Sequence, residues 1–204
     1  AAAGFSQVLL EDYAPLLPPS AQDAILRIDQ ASRRMDALIR DLLHYSRLTR
    51  ANLQPERIDP ARLAHEVLES MGSEIRERRA RVFVEEPFPC VLGDRTALIH
   101  VLTNLLSNAI KFVAPGVAPV VRVRGEGRPG AVRIWVEDNG IGIAPEHHER
   151  IFGIFQRLHR PEEYPGTGIG LAIVRKAVER MDGRAGVESR PGEGSRFWVE
   201  LPPA

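Results

Sequence analysis

Cysteine is almost missing from this chain. Cys90 is the one thiol in 204 residues, which rules out an intramolecular disulfide and makes a cysteine-built metal site implausible. Such usage suits a reducing cytosol. Lysine is nearly as scarce: Lys111 and Lys176 are the only two, and the remaining basic residues are arginine. Neither sign of charge is in excess, since 27 basic residues meet 27 acidic ones. Bulk charge therefore offers no draw for nucleic acid or an anionic membrane. No apolar run reaches the ~18 residues of a membrane span. The alanine-rich start lacks the basic n-region of a secretory leader. Repeats and low-complexity tracts are also missing. These absences favour a cytoplasmic chain without membrane contact, and the 44% of hydrophobic residues is enough to build a core.

What is present divides into two textures. Residues 1–52 read as helical throughout. Phe5, Val8, Leu9, Tyr13 and Leu16 fall roughly on one face, and Pro15, Pro18 and Pro19 close that helix. Ser20 offers an N-cap for the next helix. Its apolar positions Ile25, Ile28, Met35, Ile39 and Leu42 form a heptad-type seam, thickened by Ala31, Leu38 and Tyr45. Two helices with so wide a stripe cannot bury it between themselves. They either double into a four-helix bundle with a second copy or pack on the rest of their own chain. The spacing favours the homodimer.

Residues 53–59 read as a hinge around Pro55. Residues 60–204 then mix helices and strands. Asp59-Pro60 starts a helix running to about Arg79. Arg81 to Glu85 reads as a strand, and Asp94 caps a helix through Phe112. Val120–Arg124 and Val132–Val136 alternate as strands joined by Gly127-Arg-Pro-Gly130. A helix from about Thr167 stops at Gly183, a plausible C′ residue, and Phe197 to Leu201 forms the last strand. Recurrent hairpins favour a mixed α/β sandwich over a parallel doubly wound sheet.

Three segments carry chemistry. In Asn104-Leu-Leu-Ser-Asn108-Ala-Ile-Lys111-Phe112, residues His100, Asn104, Asn108 and Lys111 share one helical stripe. Carboxamide oxygens are hard ligands, and Mg²⁺ needs few protein groups when phosphates supply the rest. The same stripe could equally be a solvated polar face. Asp138-Asn-Gly140-Ile-Gly142-Ile follows a strand, where a carboxylate can accept from an exocyclic amine and glycines admit a close backbone approach. An Asp-Asn-Gly turn is the plain alternative. Gly166-Thr167-Gly168-Ile-Gly170-Leu171 opens a helix whose amide groups favour an anion. It does not follow a strand as a dinucleotide fingerprint must, and it lacks the Lys-Ser/Thr ending of a P-loop. The polar run between Phe155 and Gly166, closed by glycines, reads as a mobile lid.

Taken together, these segments resemble the catalytic core of a sensor histidine kinase, in the ATPase superfamily shared with DNA gyrase and MutL-type proteins (the GHKL fold). Asn104 to Phe112 is similar to the N box, Asp138 to Gly142 to the first glycine box, and Ile151-Phe-Gly-Ile-Phe155-Gln-Arg157 to the F box. Gly166 to Leu171 is similar to the second glycine box, and Gly192-Glu-Gly-Ser195-Arg-Phe197 to the closing strand. The resemblance spans essentially the whole chain, and Phe155-Gln-Arg-Leu-His with Glu163-Tyr-Pro-Gly-Thr-Gly is most similar to phytochrome-type kinases. It implies ATP and Mg²⁺ as ligands, with Asn108 on the metal and Lys111 on phosphate. Phe112 would lie against adenine. Asp138 would accept from the adenine amine with Ser195 in support, and Arg157 would reach the terminal phosphate. Gly140 and Gly142 would border the base; Gly166, Thr167, Gly168, Gly170 and Leu171 would line the triphosphate. Hydrolytic relatives carry glutamate where Asn104 stands, so slow hydrolysis and phosphoryl transfer are implied instead. A response-regulator receiver domain is the implied final recipient.

One expected part is not in the sequence. The family's acceptor is a histidine in the first bundle helix, followed by an acidic residue. Of the six histidines, His44, His65, His100, His147, His148 and His159, none stands in that motif. His44 falls late in the second helix. Gly4-Phe5-Ser6-Gln7 resembles the stretch just after the acceptor, which would then lie about two helical turns upstream of Ala1. A dimeric nucleotide-binding module without phosphotransfer is the alternative reading.

Overall fold

The computed structural model describes residues 2–50, 52–160 and 163–204. Ala1 and Ala51 of the expected N-terminal helices, and Pro161 and Glu162 of the expected lid, lie outside the described residues. Contacts divide the chain after His44 into two compact units.

The first unit is helical. Helix α1, Ala2–Asp12, is followed by a 3-10 turn over Ala14–Leu16 and by α2, Pro19–Arg50. A proline nitrogen has no proton to donate and its ring crowds the preceding turn, so Pro15 cannot continue α1. Pro19 opens α2 at a first-turn position that proline tolerates, and the Pro18 carbonyl accepts from Ala21 and Gln22. Ser20, expected as the N-cap, therefore lies inside the first turn. The end of α2, from Tyr45 on, belongs to the second unit. There Arg180 donates to the carbonyls of Leu48 at 3.3 Å and Thr49 at 2.5 Å, placing a cation at a helix C-terminus.

The second unit continues with β1 (Glu56–Ile58), α3 (Pro60–Ser70), α4 (Gly72–Glu77), β2 (Arg81–Glu85), β3 (Val91–Gly93), α5 (Arg95–Lys111), β4 (Val120–Arg128), β5 (Ala131–Asp138), α6 (Gly170–Arg180), β6 (Arg184–Ser189) and β7 (Ser195–Leu201). Five strands form one sheet in the order β2-β4-β5-β7-β6. The β2–β4 pair is parallel and the others are antiparallel. Strands β1 and β3 make a separate antiparallel ribbon. Val121, Val123, Val132, Ile134, Val136, Phe197, Val199 and Leu201 alternate along their strands and are all buried, as a period of two requires. Against them lie Leu98, Leu102, Leu105 and Ile110 of α5, Ile173 and Val178 of α6, and Leu63 and Val67 of α3. The unit is thus a mixed sheet with helices on one face, and the whole chain is α+β: a helical N-terminal region followed by an α/β sandwich.

Local chemistry explains the boundaries. Asp59 accepts from Ala61 and Arg62 with Pro60 in the first turn, and Asp94 caps α5 by accepting from Ala97 at 2.9 Å. The single helix expected from Pro60 to Arg79 breaks at Met71 (φ −92°, ψ 7°). There the Ser70 hydroxyl donates back to the Val67 carbonyl at 2.7 Å and competes with the helical ladder. Residues 53–59 contain β1. Helix α6 starts at Gly170, not Thr167. At its end the left-handed residue is Asp182 (φ 56°), while Gly183 donates to Val178 at 2.9 Å. A Cβ on Gly183 would strike the Glu200 carbonyl of β7, so this glycine serves close approach and not the C′ turn.

Candidate functional site

Strand β5 delivers Asp138 as its last residue, opposite Ser195. The Asp138 Oδ1 accepts from the backbone N–H of Gly140 at 2.8 Å and of Ser195 at 3.1 Å. Burial pushes this carboxyl up to about 6, against those two N–H groups, which favour the charged form. The result is a sheltered carboxylate held in a fixed orientation, suited to accept a hydrogen bond from an amine. Ser195 supports Asp138 through its main chain; its hydroxyl lies 3.0 Å from that of Ser189.

Asn139 turns away from the site. Its Oδ1 accepts from Val120 at 2.8 Å and its Nδ2 donates to Ala118 at 3.1 Å, which fastens the start of β4. Gly140 and Gly142 are explained by protein contacts. A Cβ on Gly140 would strike the Phe112 carbonyl, and one on Gly142 (φ +72°) would strike the Arg190 carbonyl. That Phe112 carbonyl accepts from Ile141 at 2.9 Å, so the loop after Asp138 is fastened to the end of α5. Ser189, which the sequence reading passed over, ties the same loop down. Its hydroxyl accepts from Ile143 and donates to the Gly194 carbonyl, each at 2.8 Å.

The other end of the site is built on α5. Asn104 Nδ2 donates to the His100 carbonyl at 2.8 Å, which fixes the amide plane and leaves Oδ1 facing Gly170. A Cβ on Gly170 would come within 2.5 Å of that oxygen. Lys111 Nζ donates to Asn108 Oδ1 at 3.2 Å and stands 4.4 Å over the Phe112 ring. A Cβ on Gly166 would lie 3.2 Å from the same Nζ. Glycines at 166 and 170 thus let the segment entering α6 lie against the polar stripe of α5. Thr167 Oγ1 accepts from Ile169 at 3.3 Å, and Leu171 sits half-buried in the first turn of α6.

Arg157 ties down the segment that enters α6. Its guanidinium donates to the Tyr164 carbonyl at 2.8 Å and to the Gly166 carbonyl. Gly168 (φ +75°) passes so close that a Cβ would lie 3.0 Å from the Gln156 carbonyl oxygen and from Arg157 Cγ. Asn104, Asn108, Lys111, Arg157, Gly166 and Gly170 are therefore assembled in one place, with a hard carboxamide oxygen, two cations and a cradle that side chains would fill. That donor set fits a polyphosphate with a divalent cation. Asp138 and Phe112 meet at the loop junction beside it.

Comparison with known proteins shows the family. The profile of the histidine kinase-, DNA gyrase B- and HSP90-like ATPase family matches residues 93–204, and the chain belongs to that family. Cyanobacterial phytochrome B of Nostoc sp. is 36% identical over 198 residues, covering 97% of this chain and 26% of that protein. Phytochrome-like protein Cph1 of Synechocystis sp. is 37% identical over 198 residues, with the same 97% and 26% coverage. The chain thus spans about a quarter of the length of these relatives. Among solved structures, full-length ShkA in complex with AMPPNP superposes with a TM-score of 0.74 at 30% identity, over 100% of this chain and 42% of that one. The catalytic domain of histidine kinase ThkA superposes with a TM-score of 0.63 at 28% identity, over 74% of this chain and 97% of that one. The chain carries an ATPase domain of the histidine-kinase type, similar to those of phytochrome-type kinases.

Proposed function

We propose that the chain is the core of a cytoplasmic two-component histidine kinase. It binds ATP with Mg²⁺ and passes the γ-phosphoryl group to a histidine N-terminal to Ala1, from which an aspartate of a response-regulator receiver domain receives it. Residues 1–52 act as the dimerisation and phosphotransfer helices, 53–59 as the hinge and 60–204 as the catalytic domain. Asp138 selects the adenine amine, Phe112 lies against the base, and Lys111 and Arg157 neutralise developing phosphate charge. Asn108 would hold the cation, whose charge would offset that of the bound phosphates. The structure of ThkA with the response regulator TrrA, a likeness of fold alone at 24% identity, is compatible with a receiver partner.

Asn104 carries the proposal. Its carboxamide is fixed by the His100 carbonyl and faces the start of α6, yet an amide oxygen takes no proton near neutral pH. Water is therefore poorly activated and the phosphoryl group is kept for an imidazole. The test compares this chain with a version extended upstream, both given γ-labelled ATP and Mg²⁺. Label on the extended chain alone, with slow hydrolysis by both, is expected. Turnover like that of a dedicated ATPase overturns the proposal. Binding with label on neither chain favours a dimeric nucleotide-binding module without phosphotransfer.

A further inference from the structure

Tyr164 stands in the lid, and none of the roles above uses its side chain. Its hydroxyl donates to the Val113 carbonyl at 3.0 Å. Its ring centroid lies 5.2 Å from that of Phe112, tilted by 37°. The His159 ring closes the cluster at 5.2 Å from Tyr164 and 6.3 Å from Phe112. From the other side, Arg157 grips the Tyr164 carbonyl at 2.8 Å. Phe112 and Val113 are also where the first glycine loop is fastened, through the Phe112 carbonyl and Ile141. One short segment past α5 therefore anchors both the base-binding loop and the lid.

We propose that Tyr164 is a positioning residue, a clasp that fastens the lid to the rim of the adenine pocket and sets how long an adenine nucleotide stays bound. This rests on the ATP-binding reading. The clasp has two separable parts. The hydroxyl makes a directional bond to a backbone carbonyl, and the ring stacks in a tilted geometry favourable for aromatic pairs. Each part should slow lid opening, and neither touches phosphate, so capture of nucleotide should be little affected.

Stopped-flow release of mant-ATP with Mg²⁺, chased with excess ATP, measures the effect. Tyr164→Phe should release nucleotide about fivefold faster through loss of the hydroxyl bond. Tyr164→Ala should release it roughly thirtyfold faster through loss of the ring as well. Association rates and the thermal midpoint of the unbound protein should stay near wild type. Amide exchange over residues 155–166 should rise in the nucleotide-bound variants. Unchanged release in both variants overturns the inference. So does faster association with unchanged release, which would make Tyr164 a plug and not a clasp. Wild-type protein that fails to bind mant-ATP would instead overturn the nucleotide reading itself, and the clasp with it.

Discussion

Helices α2 and α5 carry apolar stripes of similar period and treat them in opposite ways. In α5, Leu98, Val101, Leu102, Leu106 and Ile110 are all fully buried. In α2, Ile28, Met35, Ile39 and Leu42 remain 54%, 54%, 57% and 48% exposed. Among the described residues up to His44, the only buried side chains are two serines, Ser6 and Ser32. A stripe states that a face should leave water; it does not state what will cover it. The α/β unit answers within its own chain. The helical unit, on the dimer proposal, answers with a second copy, and its stability then depends on protein concentration.

The largest effect should come from breaking the intermolecular half of this contrast. Burying one isoleucine or leucine contributes about 1.5–3 kcal/mol. Two per copy would sum to roughly 6–12 kcal/mol per dimer on that scale. Ile39→Asp with Leu42→Asp should therefore give a monomer by light scattering, with lost helicity and an α/β unit that still melts as in the parent. A mass that stays dimeric would show that other surfaces join the copies. The complementary change, Leu102→Ala, should cost the α/β unit about 2–5 kcal/mol and leave the mass untouched. Denaturant unfolding followed through Trp135 and Trp198 reads it. Equal loss in both units would erase the distinction.

A third change shows what the self-contained unit gives up for its site. The folded-state value of Asp138, about 6, lies above the roughly 3.9 of an unfolded aspartate. The native state therefore binds the extra proton, and the contribution of this group is complete below about pH 4 and lost as pH rises through 6. The cost near pH 8 is on the order of 3 kcal/mol. Asp138→Asn keeps an Oδ1 that can accept from Gly140 and Ser195 but carries no charge. It should raise stability at pH 8 by up to about that amount, change little at pH 4, and weaken adenine-nucleotide binding. No difference between the two pH values would remove the case for a strained carboxylate.

Much of this was legible in the residues, and the exceptions share a cause. Asp59 and Asp94 announce helices because a cap is read within three residues. The strands around Val121–Val123 and Val132–Val136 are long enough for alternation to show. Strands β1 and β3 have three residues each, too few for a period. Strand β6 contains Gly186 because the Trp198 indole lies over it, 2.6 Å from where a Cβ would sit at the nearest bridgehead carbon. The reason for that glycine is on another strand. The glycine boxes were readable as a set because close approach leaves few residue types. Ser189 and Tyr164 were not, since each acts through a main-chain group far along the sequence.

The smallest expected effect concerns a third way of covering apolar surface, on the open face of the sheet. Trp135 points away from the helices, directly opposite Trp198 of β7, yet is only 3% exposed. The guanidinium carbons of Arg124 and Arg133 stand 4.9 and 5.1 Å from its ring centre, with Arg196 at 5.7 Å. Its Nε1 donates to Glu126 at 3.0 Å. Arg133 also lies 4.1 Å over Trp198 and pairs with Glu200 at 2.6 Å. A flat guanidinium can stack on one face and bond a carboxylate at its edge, which an ammonium cannot. This is a physical use for a chain whose cations are nearly all arginine. Arg133→Ala should cost about 1 kcal/mol and red-shift tryptophan emission as water reaches both rings. Arg133→Lys keeps the charge and should recover less than half of the loss. If lysine restores both stability and emission, charge alone covers this face and the stacked plate contributes nothing.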